Sequence, residues 1–185
     1  MKTEIYLPRE DSYFLTQILE EQVTELLNQN SNLTFLEIGS GSGIQLETLL
    51  KISIKKQNIF SCDINPHAVR HCKKLGFNCV RSDLFKNIKG KYDIIIFNPP
   101  YLPKESLESK SSRVSTTGGE KGNEIINEFL KQAKRYLNKN GRIFLLTSSL
   151  SGRINFLDYK KEIIAKKKLF FEELYIWKLE ITTKE

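Results

Sequence analysis

Three cysteines are too few, and too awkwardly spaced, to hold this chain together. Cys62, Cys72 and Cys79 are odd in number and form no CxxC pair. That argues against a disulfide framework and against a zinc site, so no metal is expected. They read as reduced, mostly buried thiols. Long apolar runs are missing too. A run such as Ile94-Ile95-Ile96-Phe97 is far too short to cross a bilayer, and no membrane partner is expected. Met1 to Tyr6 contain no apolar signal core and no cleavage site, which makes the cytoplasm the expected compartment. No internal repeat and no low-complexity segment is visible.

The 185 residues are 39% apolar and 28% charged. These proportions fit one globular domain spanning 1–185, with a substantial core around a single sheet. The net charge of +7 suits nucleic acid or ribosome-associated partners. Scattered lysines in a chain rich in Lys, Ile and Asn also do no more than solvate.

Apolar spacing predicts a helix over 10–30, with Phe14, Leu15, Ile18, Leu19, Val23, Leu26 and Leu27 inward. Leu33 to Ile38 reads as a buried strand. A glycine-rich turn from Gly39 to Gly43 follows, then a helix from Ile44 to Ile52. Asn58 to Cys62 reads as a second strand. Pro66 opens the next helix, where its missing N–H does no harm, and Gly76 closes it. Phe77 to Arg81 is a short third strand. Tyr92 to Phe97 is a nearly unbroken apolar run, the mark of a strand buried on both faces in a parallel sheet. Pro99-Pro100 stops it. Leu102 to Gly122 reads as a mobile polar loop, and Asn123 to Leu137 as a helix. Asn138 to Gly141 reads as a turn before a fifth strand, Arg142 to Thr147. Leu174 to Ile181 reads as a strand, and Lys160 to Phe170 as either a helix or its hairpin partner. The strand is favoured because the preceding polar stretch is too short for a return crossover as well as a helix. Alternating strands and helices predict an α/β fold with helices on both faces of a mostly parallel sheet. Ligands in such sheets sit outside the carboxyl ends of the strands.

Four segments at those ends carry chemistry. The first is Glu37-Ile38-Gly39-Ser40-Gly41-Ser42-Gly43. Glycines let the backbone turn tightly and approach a ligand. Gly43 follows Gly41 by two residues, not three, which departs from the usual dinucleotide fingerprint. Glu37 would repel a pyrophosphate but suits a cationic amino-acid ligand. The second is Asp63, about twenty residues on, placed to accept both hydroxyls of a ribose. A helix N-cap is its plainer alternative, but Asn65 fits that role better. The third is Ser82-Asp83-Leu84-Phe85, where Asp83 suits the exocyclic amine of adenine and Leu84 the ring face. A turn aspartate is the alternative there.

The fourth, Asn98-Pro99-Pro100-Tyr101, is the sharpest. An amide or aromatic amine nitrogen has a delocalised lone pair and is a poor nucleophile. It needs acceptors on its N–H groups before it attacks a sulfonium methyl. The Asn98 side-chain oxygen supplies one, and the Pro99 carbonyl, stiffened by the Pro99-Pro100 pair, another. Tyr101 can stack on the planar group. Positioning and desolvation then carry much of the rate.

In this order the residues resemble the class I S-adenosylmethionine-dependent methyltransferases. Among them the chain is similar to the HemK/PrmC protein-glutamine methyltransferases, in particular the short archaeal and eukaryotic branch that modifies translation release factors. Tyr6 to Ser12 resembles that branch's N-terminal signature, and Gly118-Gly119-Glu120-Lys121-Gly122 its glycine-rich loop. The resemblance implies a Rossmann-like three-layer α/β/α sandwich with an antiparallel last strand. It implies S-adenosylmethionine as cofactor and S-adenosylhomocysteine as product. Glu37 and Gly39 would meet the methionine end, Asp63 the ribose, and Asp83 and Leu84 the adenine, with Gly41 also in the cofactor-binding turn. Ser12 would approach from residues 1–30, which would cap the cofactor site. Asn98, Pro99, Pro100 and Tyr101 would hold a glutamine amide, which in the family lies in a Gly-Gly-Gln tripeptide. A small zinc-binding activator subunit is the implied partner.

The chain departs from the family in three places. The N-terminal helical domain of bacterial relatives is not expected, Thr116-Thr117 replace an aromatic-Ala pair, and the final helix and strands look abbreviated. Two other functions compete. A DNA or RNA base methyltransferase poses the same acceptor problem at adenine N6 or guanine N2, and Lys160, Lys161, Lys166, Lys167 and Lys168 could follow a phosphate backbone. However, no spare target-recognition domain is seen. A catalytically idle binding module is opposed by the intact set Glu37, Asp63, Asp83 and Asn98.

Overall fold

A computed structural model describes residues 5–103 and 117–182. The expected mobile loop, including Thr116, falls for residues 104–116 outside the described residues. The elements are α1 (Glu10–Leu27), β1 (Phe35–Ile38), α2 (Ile44–Lys51), β2 (Ile59–Asp63), α3 (Pro66–Lys74), β3 (Asn78–Arg81), β4 (Tyr92–Phe97), α4 (Glu124–Ala133), β5 (Leu137–Ser148), β6 (Tyr159–Lys168) and β7 (Glu173–Ile181).

The strands form one sheet in the order β3-β2-β1-β4-β5-β7-β6. β7 alone runs opposite to the other six strands, pairing antiparallel with β5 and β6. Every residue of β1 is buried, as expected for a strand covered on both faces. Its side chains alternate between two cores. Phe35 packs with α1, α2 and α3 through Leu15, Leu19, Leu49 and Cys72. Leu36 and Ile38 pack with α4 through Ile126, Phe129 and Leu130. The period of two in the strand thus meets helices on both sides, which makes the three layers. Chain order reverses between β1 and β4, so a crevice opens at their carboxyl ends.

Several boundaries differ from the sequence reading. The helix expected to reach Leu137 ends at Ala133 and tightens into a 3-10 turn. Tyr136 is there drawn onto Phe85, with ring centroids 4.5 Å apart. The expected turn at 138–141 lies inside β5. Leu137 pairs with Tyr92, and the ladder resumes at Ile94 with Arg142. Asn138 donates to Asp93 across the break, at 2.8 Å. Pairing on both sides of an extruded segment lets turn and strand coexist. No helix forms between β5 and β6, but the closing strands are not short. They run 10 and 9 residues, because pairing along a hairpin replaces the packing that a helix would have supplied.

Candidate active site

Glycine conformations build the floor of the crevice. Gly39 leaves β1 at φ +73°, a backbone that other residues adopt only under strain. Its Cβ position is open, 3.8 Å from the Phe97 ring, so conformation rather than space requires glycine. The Gly39 and Ser40 N–H groups donate to Cys62 O at 2.8 and 3.0 Å, which ties the turn to β2. Gly43 caps α2 at φ +84°.

Two buried carboxylates face this turn. The Asp63 Oδ2 accepts from Gly41 N–H and Oδ1 from Asn65 N–H, both at 2.8 Å. Burial raises the Asp63 carboxyl above its ordinary range despite those bonds. Asn65 caps α3, accepting from His67 N–H at 2.9 Å, so the N-cap falls on Asn65 and leaves Asp63 to the cavity. Glu37 is completely buried, and that burial, reinforced by Asp63, holds its carboxyl well above the usual value. Its Oε2 has no hydrogen-bond partner among the described residues. A buried, unpartnered carboxylate oxygen is costly unless a ligand satisfies it.

Ser82-Asp83-Leu84 form a tight turn at the end of β3. Ser82 Oγ donates to Leu84 O at 2.8 Å, and Leu84 sits at φ +47°. Asp83 is half-exposed and pairs with Lys86 at 2.6 Å. Both Asp83 and Leu84 line the cavity.

Asn98 leaves β4 with its amide held in one sense. Nδ2 donates to Asp11 Oδ2 at 2.9 Å, while Oδ1 is buried without a partner among the described residues. Asp11 can only accept, so it selects the nitrogen end of the amide and turns the oxygen end away. Tyr6 donates to both Asp11 oxygens at 3.1 and 3.2 Å, and Ser12 Oγ to Oδ1 at 3.3 Å. Burial, then Asp11, raises the Tyr6 hydroxyl's pKa and keeps it a donor. The N-terminal segment is pinned in turn by Gln45, whose Nε2 donates to Ser12 O at 2.9 Å.

Pro99, Pro100 and Tyr101 continue along the cavity wall. Tyr101 is largely buried, which raises its hydroxyl's pKa, with Asp11 and Glu172 adding to the effect. The Gly118–Gly122 loop closes over this segment. A Cβ at Gly118 would lie 2.5 Å from Pro100 O, and one at Gly122 2.5 Å from Tyr101 O. Those glycines are required by backbone-to-backbone approach. This gives the glycine-rich loop its physical reason.

Together these residues enclose a cavity of about 950 Å³, large enough for a nucleoside-sized ligand with an acceptor group beside it. Ser12, Glu37, Gly39, Gly41, Asp63, Asp83, Leu84, Asn98, Pro99, Pro100 and Tyr101 all line it. Asp11, Tyr6, Leu169 and Glu172, whose residue types alone suggest no role, also line it. Asp11 stands beside Ser12, but only the fold carries it to Asn98, 87 residues away. Four of the five lysines named as a phosphate track have partners, while Lys168 is exposed. Lys160 lies 3.9 Å from Glu180, Lys161 over the Phe156 ring, Lys166 over the Tyr175 ring, and Lys167 2.5 Å from Glu10. No helix of the described residues is long and apolar enough to cross a membrane.

The family model described as "Methyltransferase small domain" matches residues 14–167. MJ0928 of Methanocaldococcus jannaschii, assigned by name as a protein N5-glutamine methyltransferase, is 37% identical, covering 95% of this chain and 93% of that protein. Methyltransferase HEMK2 of Mus musculus is 31% identical over 78% of this chain and 72% of its own. Among solved structures, the E. cuniculi Mtq2–Trm112 complex, described as methylating the eRF1 translation termination factor, is similar. There the TM-score is 0.73 at 27% identity, over 96% of this chain and 99% of that one.

Proposed function

The chain belongs to the methyltransferase small domain family, and on that premise we propose that it methylates N5 of a glutamine side chain in a translation release factor, using S-adenosylmethionine. The observation that carries the reading is the Asn98 amide, oriented by Asp11 with its oxygen buried and unpartnered. An unsatisfied acceptor beside a large cavity calls for an N–H donor.

The residues present fit the cofactor. An ammonium group is the natural complement of the orphaned Glu37 Oε2, and ribose hydroxyls are the natural donors to Asp63. Gly39 and Gly41 would lie against the methionine end with Glu37. Asp83 and Leu84 would take the adenine, with Ser12 closing from the N-terminal side. When bound, S-adenosylmethionine supplies an electrophilic methyl on a cationic sulfur.

The chain's own residues prepare the acceptor. Asn98 Oδ1 and the Pro99 carbonyl accept the two N–H groups of the glutamine amide and draw electron density toward its nitrogen. The Tyr101 ring holds the amide plane. As the nitrogen takes up the methyl that the sulfonium would release, the Asn98 and Pro99 acceptors hold its N–H groups until it gives up one proton to water. No strong base is needed, because the nitrogen becomes acidic as it gains the methyl. Alignment and exclusion of water are the main contributions to rate.

Residues 1–185 act in this reading as one methyltransferase domain, with residues 1–30 capping the cofactor site. Tyr6, Asp11 and Ser12 on the cavity wall support this. A small zinc-binding activator subunit is the proposed partner, by analogy with the Mtq2–Trm112 complex. The cytoplasm is the proposed compartment, since relatives act on translation factors. An adenine or guanine amino group would suit the same acceptors, and exposed Lys168 leaves a cation for a phosphate backbone, but the relative assigned as a protein N5-glutamine methyltransferase favours the amide. A labelled-methyl assay offering release factor and nucleic acid side by side tests the proposal. Mass mapping of the label to a glutamine side chain supports it, and label on nucleic acid alone overturns it.

A further inference from the structure

The turn joining β6 to β7 carries two phenylalanines that the fold does not use. Phe170 is 91% exposed and Phe171 84%. Their rings contact only edge to face, 4.6 Å apart at 86°. Nothing in the described core covers them, although a phenylalanine ring has more to gain from burial than almost any other side chain. Their chain neighbours are placed differently. Leu169 and Glu172, joined by a Leu169 N–H to Glu172 O bond of 2.8 Å, line the active-site cavity. The tip is therefore held at the cavity mouth. It is anchored on one side by Glu172, which accepts from Ser148 Oγ. On the other side Lys167 pairs with Glu10 at 2.5 Å, one residue before Asp11.

We infer that Phe170 and Phe171 are the docking contact for the folded protein that carries the acceptor glutamine, seated on an apolar patch beside its glutamine-bearing loop. This rests on the reading of the site as a protein-glutamine methyltransferase. The position argues for the acceptor protein over other occupants. Leu169 and Glu172 bring the tip to the wall of the cavity that the acceptor side chain enters, so a folded protein presenting that side chain comes within reach of the rings. A second copy of the chain seated there would obstruct that entrance. Of the lysines beside the rings, Lys166 lies 5.7 Å from the Tyr175 ring centroid and Lys167 is paired with Glu10, which leaves exposed Lys168 as the cation a nucleic acid could use and makes RNA binding an outcome of the test. Two adjacent exposed aromatics at the edge of a site are what a binding hot spot is made of.

The test is steady-state methylation of intact release factor by the full chain, with any companion subunit it requires, comparing wild type with F170A/F171A. Truncating a central aromatic pair should raise KM for the release factor about tenfold or more. kcat at saturating acceptor should stay within about twofold, and cofactor affinity and the thermal midpoint should not move, because neither ring touches the cavity lining. An unchanged KM in a variant of unchanged midpoint overturns the inference while the proposed function stands. So does a variant whose defect is loss of self-association, of the companion subunit or of RNA binding. If wild type labels no release factor, the functional reading itself fails, and the inference falls with it. If the midpoint drops, the single F170A and F171A variants decide on the same KM criterion.

Discussion

Replacing Asn98 by aspartate tests the acceptor argument more sharply than deleting it. Asn→Asp preserves shape but exchanges the Nδ2 donor for an oxygen facing Asp11 Oδ2 at 2.9 Å. Two ionised carboxylates at that distance repel by about 6 kcal/mol at an effective dielectric of 20. The pair therefore keeps one shared proton well above the ordinary carboxylate range. While that proton is present, the new carboxyl donates to Asp11 and still offers an unpartnered oxygen to the substrate amide, as asparagine does. When the proton leaves, repulsion pushes the two groups apart and the acceptor moves. Asn98→Asp should thus retain measurable turnover near pH 6 and lose most of it by about pH 9, whereas wild type lacks that descending limb. Asn98→Ala should be nearly inactive at every pH, with cofactor affinity unchanged. The assay is kcat against pH with labelled cofactor, alongside calorimetric cofactor titration. An aspartate variant as dead as alanine at all pH values, or fully active at pH 9, would refute the reasoning.

Removing the carboxylate in Asp63→Ala should weaken cofactor binding by about 2–4 kcal/mol, one charge-assisted hydrogen-bond pair, read by calorimetry; unaltered affinity would dismiss the ribose assignment. Gly118→Ala should push the Pro99-Pro100 backbone off its place, since the new methyl would lie 2.5 Å from Pro100 O. A loss of about 1–3 kcal/mol in stability is expected with a fall in kcat, checked by denaturant unfolding and turnover. Because burial raises the Glu37 carboxyl in the folded protein, its contribution to stability is fully present below the unfolded glutamate value and is lost as pH rises through the folded value. The cofactor-free protein should therefore unfold more easily on going from pH 5 to pH 8, less so in Glu37→Gln, measured as thermal midpoints. Cofactor affinity should change in the opposite sense, rising with pH as Glu37 ionises to meet an ammonium, and Glu37→Gln should flatten that slope too.

Local physics made much of this protein legible in the chain itself. The nearly unbroken apolar run at Tyr92–Phe97 read as a strand buried on both faces, and Pro99-Pro100 as its end. The positive backbone angles of the Gly39–Gly43 turn were implied by glycine, and the cap of α3 by Asn65-Pro66. Asn98 was visible as the acceptor because its chemistry depends on residue type and immediate neighbours. Boundaries set by pairing were less legible. Asn138 to Gly141 have turn composition, yet contacts with β4 on either side draw them into β5.

Short-range preferences, then, were enough to name the strands, the glycine turn and most of the cavity wall. What needed three dimensions was anything that depends on two distant segments meeting. No spacing rule relates Asp11 to Asn98, yet their contact decides which end of the amide the substrate encounters. Gly118 has its reason only when Pro100 O is seen against it. Phe170 and Phe171 read as ordinary apolar residues until the hairpin places them in water at the rim. Side-chain orientation and exposure depend on what lies across a gap, and that is settled only when the chain has closed upon itself.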